Sequence, residues 1–256
     1  VQPFLDFVLS SYRALPTSVQ RNFLFPKSAT TTTTTTVTSP PPPNVASSPS
    51  PLEETKTTTT TTTTSAILAL KSSSSFRTLT ECPLTVMLLF QLYPKYLKSN
   101  IPSLIPLMME ALALRPPPRT SVLSSSAPTI TEEEKQNHHA LLRLYHSRCR
   151  DFLSCQTKTL SFLTYLLRGF SEQMKPYEDR IATNVISLLS TCPRDATTTR
   201  KELLVATRHI LATNDFRSGF FRHVDSLLDE RVLLGTHRPS ECLSLRPLGY
   251  STLADL

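Results

Sequence analysis

Apolar residues recur along this chain at helical spacing and almost nowhere in alternation. Residues 3–14 place Phe4, Phe7, Val8 and Tyr12 on one face. A second helix is predicted over roughly 78–93, with Leu84, Met87, Leu88 and Leu92 as its inward stripe and Pro94 as its stop. From Ser99 a third puts Ile101, Leu104, Ile105, Met108 and Leu112 in register. Pro102 suits its first turn, whereas Pro106 should kink it or displace its start. The stretch 132–170 opens on Thr131 and three glutamates, a capping pattern that complements the helix dipole. It continues through Leu141, Leu144, Tyr145 and Cys149 to the nearly all-apolar LSFLTYLLRGF at 160–170. That is long for one helix, and a break or bend near 150 is expected.

Three further helices follow. Around 177–190 the stripe is Ile181, Val185, Leu188 and Leu189; Thr191 to Asp195 reads as a turn. Around 198–213 it is Leu203, Leu204, Ala206, Thr207, Ile210 and Leu211. Around 216–230 it is Phe220, Val224, Leu227 and Leu228, with Gly235 just beyond and a restart after Pro239. The pattern predicts an all-α protein. Helices of roughly 12 to 18 residues in pairs of about 40 suit a HEAT- or armadillo-type α-solenoid of antiparallel pairs, with a four-helix bundle as the competing arrangement. The 160–170 segment, apolar almost all round, implies neighbours on both sides.

Two inserts interrupt the helices. Residues 26–75 contain threonine runs at 30–36 and 57–64, four prolines at 40–43 and a serine run at 72–75. With almost nothing apolar to bury beyond AILAL at 66–70, the stretch is predicted to be disordered. Its Ser-Pro pairs at 39–40, 48–49 and 50–51 could accept phosphate, although such pairs also arise by chance in low-complexity sequence. A shorter insert of the same character lies at 115–129. The predicted division is an N-terminal repeat helix at 1–25, the insertion at 26–75, a helical hairpin at 76–114, a Pro/Ser-rich loop at 115–131 and helical repeats over 132–256. The chain opens at Val1 and still reads as helix at Leu256, so it is read as a piece of something longer.

Composition narrows the chemistry. Four glycines in 256 residues supply neither a dinucleotide-binding nor a P-loop glycine pattern. The formal charge is +7 and the isoelectric point near 9.3. The excess is thin, +5 over 1–131 and +2 over 132–256, with no basic cluster denser than RCRD at 148–151. Dispersed solvated charge is therefore preferred to a phosphate-binding face, and no sequence-specific nucleic-acid partner is expected. The longest uncharged apolar stretch, 82–94, is too short for a membrane span. The cysteines at 82, 149, 155, 192 and 242 are odd in number and widely spaced, which suits reduced buried thiols.

Candidate chemistry is sparse. His138, His139 and His146 near Cys149 read as a polar helix face, because His139 and His146 stand two turns apart. His209 reads as a helix-packing histidine, and Asp225, Asp229 and Glu230 as surface charge. No hydrolase elbow, kinase signature or zincin motif occurs. No catalytic, cofactor-binding or metal residue is assigned. What remains is recognition by shape, with Tyr177, Arg208, Arg222 and Arg238 as exposed candidate anchors.

The segments FRTLTECPLTVMLLFQLYPKY (76–96), DFLSCQTKTLSFLTYLLRGF (151–170), LLSTCPRDATTTRKELLVATRHILAT (188–213) and LRPLGYSTLADL (245–256) strongly resemble the TRRAP family, very large transcription-associated members of the phosphatidylinositol 3-kinase-related group. The threonine runs depart from that pattern. The resemblance covers roughly 76–114 and 150–256. It implies a segment of the N-terminal HEAT region of a nuclear pseudokinase scaffold. Such a scaffold joins transcriptional activators to SAGA-type and related histone acetyltransferase complexes. Its partners would be activators, acetyltransferase-complex subunits and other parts of the parent chain, with no cofactor and no membrane. Two other readings stay open: the helical arm of an active kinase of the same group, and a transport receptor of the importin type.

Overall fold

The computed structural model describes residues 1–23, 75–118, 132–235 and 243–256. The threonine runs, the Ser-Pro pairs, the 66–70 stretch, Thr131, Arg238, Pro239 and Cys242 lie outside these residues, as does most of the 115–131 loop. Among the described residues the regular structure is helical throughout: α1 (Gln2–Phe23), α2 (Ser75–Leu92), α3 (Pro94–Lys98), α4 (Ile101–Ala113), α5 (Glu132–Met174), α6 (Glu178–Thr191), α7 (Thr197–Leu211), α8 (Arg217–Phe221), α9 (Val224–Leu228), α10 (Glu230–Leu233) and α11 (Arg246–Ala254). Short 3-10 turns at Lys175–Tyr177 and Asn214–Phe216 lead into α6 and α8.

The helices stack in order. α1 lies on α2 and α4, these two lie on α5, and α5 also carries α7. α6 packs on α4 and pairs with α7, and α11 closes against α7. This is the layered, neighbour-to-neighbour packing of an all-α solenoid.

α5 is the spine. At 43 residues it extends about 65 Å, and it does not break near 150. Phe152, Leu153, Cys155, Leu160, Phe162, Leu163, Leu166 and Leu167 are all buried, because helices cover it on two sides and propagation adds a bond for each residue ordered. The departure comes instead at Phe170 (φ −138°, ψ 30°). Gly169 weakens the helix there, and open space surrounds the position its Cβ would occupy. The Phe170 ring then packs edge-on to Phe90 of α2, 5.5 Å between centroids.

α2 presents the opposite face from the one expected. Phe76, Cys82 and Val86 are buried, while Leu84, Leu88 and Leu92 are 54%, 60% and 70% exposed and Met87 is half-buried. The run CPLTVMLLF is apolar on nearly every side, so periodicity alone could not select the inward face. α4 behaves as its pattern predicts, with Ile101, Leu104, Ile105, Met108 and Leu112 all buried. It runs through Pro106 without a shifted start, because the missing N–H leaves only the carbonyl of exposed Pro102 for solvent to serve.

The helix expected at 216–230 is three short ones. His223 (φ −109°, ψ 18°) and extended Asp229 (φ −72°, ψ 111°) separate them. Phe220 and Leu227 point inward, but the turn at Arg222–His223 rotates the stripe and leaves Leu228 61% exposed. Asp229 accepts the Arg231 N–H at 2.8 Å and so caps α10. Between α1, α2 and α5, Phe23, Phe76, Tyr145 and Phe152 form one aromatic cluster with centroids 5.2–6.3 Å apart. Each such pair contributes about 1 kcal/mol beyond its buried area.

Candidate functional site

Helix C-termini leave carbonyls without partners, and here buried side chains from neighbouring helices serve them. Gln156 of α5 donates through Nε2 to Ala111 and Leu114 O, both 2.9 Å, at the end of α4. Asn184 Nδ2 of α6 reaches Met109 O at 3.3 Å, and Arg115 bonds Leu112 O and Ser187 Oγ. Arg200 of α7 is the most committed of these. It is 1% exposed and donates to Leu189 O at 3.0 Å, Cys192 O at 2.8 Å and Val232 O. Its Nε has no hydrogen-bond partner. Burial holds its pKa below the ordinary guanidinium value, and the carbonyl ends of α6 and α10 offset the charge. Gly235, at φ +80°, leaves space for it: a Cβ there would stand 2.5 Å from Arg200 Nε. No sequence pattern marked Arg200; only the convergence of carbonyls reveals it.

These polar groups tie helices together and present nothing to a substrate. The thiols of Cys82, Cys149, Cys155 and Cys192 are all pushed up by burial, Cys155 to about 12, so little nucleophilic thiolate forms at neutral pH. Tyr12 is raised further by burial and shares a 2.9 Å hydrogen bond with Thr159. Of the histidines singled out, His138 and His139 lie edge to face, and His146 lies against Tyr145. Among the described residues no three His, Cys, Asp or Glu side chains cluster to hold a metal. No helix there is long and apolar enough to cross a membrane.

The candidate anchors scatter. Tyr177 is half-buried with Arg180 stacked over its ring at 5.8 Å. Arg208 is bound to Asp255 at 2.6 Å and Arg222 to Asp179 at 2.7 Å. They do not converge. A feature the sequence reading missed does: an open groove of about 610 Å³ between α2, α5 and α7. Met87, Tyr165, Val205 and Ala206 form its apolar part. Lys158, Arg168, Lys201 and His209 lie around it, with Ser161, Thr164 and Thr198 hydroxyls between. His209 is exposed here, correcting the packing role expected of it, because its place on α7 falls outside the buried stripe. The one acid in the lining, Glu202, pairs with Lys158 at 2.9 Å. Arg168 and Lys201 have no carboxylate within ion-pair distance among the described residues.

Comparison with known proteins gives this surface its setting. Residues 148–256 match a family described as the Tra1 HEAT repeat central region. Over 186 residues, 73% of the chain, it is 44% identical to a "Probable transcription-associated protein 1" of Dictyostelium discoideum. The chain belongs to the TRRAP family. It is also 41% identical over 189 residues to the "SAGA complex/NuA4 acetyltransferase complex subunit Tra1" of Schizosaccharomyces pombe. The human "Transformation/transcription domain-associated protein" is 34% identical over 186 residues. The chain spans only 4% to 5% of the length of these TRRAP relatives. No solved structure matches it. The buried stripes of α6 and α7, the Arg200 junction and α11 all fall inside the region matched as HEAT repeats.

Proposed function

We propose that this segment is a non-catalytic scaffold element of a nuclear transcription coactivator that joins transcriptional activators to SAGA-type or related histone acetyltransferase complexes. The observation that carries the reading is the identity to relatives named for the SAGA and NuA4 acetyltransferase complexes, 41% in the fission yeast protein. The structure supports it physically. The buried polar groups are consumed in bracing helix ends and the cysteines are held as thiols, which leaves surface rather than reaction chemistry. The parent is read as a pseudokinase, and this chain contributes helical stack to it, with 132–256 as its repeat region.

The test is to tag the parent protein, delete 148–256, and quantify the acetyltransferase-complex subunits and activators that co-purify. Loss of those subunits, with the parent still nuclear and abundant, is expected. An intact complement of subunits and activators would overturn the reading. Phosphoryl transfer from the purified parent that requires its own catalytic acids would favour the arm of an active kinase instead.

A further inference from the structure

Charge that is dispersed along the sequence gathers on one face of α5. In its N-terminal half His139, Arg143, His146 and Arg150 follow at intervals of four, three and four residues. That spacing sets them within about 60° of one another around the helix. All four are exposed, and the other described positions exposed between 136 and 151 are Gln136, Ser147 and Asp151. Asp151 stands about 100° round the helix from Arg150 and so lies off the row. Neither Arg143 nor Arg150 has a carboxylate within ion-pair distance among the described residues. The opposite side of this half-helix is anchored. Tyr145 and Phe152 are buried against Phe23, and the Tyr145 hydroxyl donates to Pro117 O at 2.8 Å. The row is thus held in place over about 16 Å of helix.

We propose that this face contacts the backbone phosphates of duplex DNA without reading its sequence. The arginines pair with phosphate oxygens, and the imidazoles donate N–H hydrogen bonds to them. Each strand of a duplex carries a phosphate about every 3.4 Å of its axis, so about five fall within the length of the row. Charge and shape choose this occupant. No apolar side chain is exposed between the cations to seat an amphipathic protein helix or to enter a lipid surface. Single strands are held by stacking on aromatic rings, and no Phe or Tyr is exposed on this face. A stiff duplex offers its phosphates already in line, which suits a straight row of donors. The proposal goes beyond the scaffold reading, which requires no contact with nucleic acid.

The test is fluorescence anisotropy of the full chain with a short fluorescein-labelled duplex of random sequence, over a series of salt concentrations. Saturable binding is expected, with affinity falling linearly with salt on logarithmic axes. R143E/R150E should weaken it about tenfold or more, and R143A/R150A should lower the salt slope by about 2. H139A/H146A should weaken it about threefold through lost hydrogen bonds. R231E/R246E makes the same charge change on α10 and α11, away from this face, and should cost less than about twofold. All these positions are exposed, so every variant should retain the circular dichroism and melting temperature of the unaltered chain. An equal loss in R231E/R246E would overturn the proposal, because binding would then report net charge alone. Polyglutamate or single-stranded DNA binding as tightly as the duplex would overturn it too, as would no binding of the duplex at all. The deletion pull-down reports assembly of the parent and this titration reports one face of α5, so either can fail without the other.

Discussion

Positive charge occupies two contrasting places in this molecule. At the α6–α7–α10 junction Arg200 is sealed from water and spends its donors on three main-chain carbonyls. At the groove, Arg168 and Lys201 stand exposed with no described acid to meet them. The first arrangement stabilises because withdrawing the guanidinium would leave helix-end carbonyls buried and unsatisfied. The second contributes almost nothing to stability, since water already solvates the charges. Burial, rather than residue type, separates a brace from a solvated charge.

Substitutions should break the contrast in a graded way. Arg200→Ala removes three hydrogen bonds and opens a cavity, and should destabilise the fold by about 3 kcal/mol or more in chemical denaturation. A loss below about 1 kcal/mol would mean that water replaces the guanidinium readily. Gly235→Ala attacks the same brace from outside. Its φ of +80° and a Cβ 2.5 Å from Arg200 Nε should cost about 2 kcal/mol. The double variant with Arg200→Ala should lose less than the sum of the two, because the clash disappears with the guanidinium.

The alkaline limb of stability is a smaller effect. Folded Cys155 holds its proton up to about 12, and Tyr12 is raised further, while the unfolded groups release theirs near their ordinary values of 9.0 and 10.0. Above those values the native state binds more protons than the unfolded state. Stability present below pH 9 is therefore lost as pH rises toward 12. Cys155→Ala should flatten the fall of melting temperature between pH 9 and pH 11, and an unchanged slope would contradict the assignment. The smallest effect is at the groove, where R168E/K201E should change unfolding free energy by less than about 0.5 kcal/mol. A large destabilisation there would erase the contrast.

Much of the architecture was legible beforehand. The stripes of α4, α6 and α7 are buried residue for residue: α6 and α7 are apolar on one side only and have one way to hide that side, and in α4 the exposed Ser103 and Glu110 mark the solvent side. α2 was misread for the converse reason, since several of its faces are greasy enough to be the inner one. The uninterrupted course of α5 past residue 150 escaped a local reading because the helices on either side sustain it. Of the groove, Met87, Ala206 and His209 had been singled out, but the first two as core and the last as packing. None signalled that residues from 87 to 209 would line one surface.

Local spacing, turn chemistry and composition were enough to specify a helical protein, most of its buried stripes and the absence of familiar catalytic motifs. These depend on neighbours a few residues apart, which the chain order already provides. The outward face of α2, the departure at Phe170, the burial of Arg200 and the pairing of Arg168 with Lys201 across a common groove depend on which helices lie side by side. That choice is made by packing between segments dozens of residues apart, where shape and solvent exclusion, rather than period, decide the lower free energy.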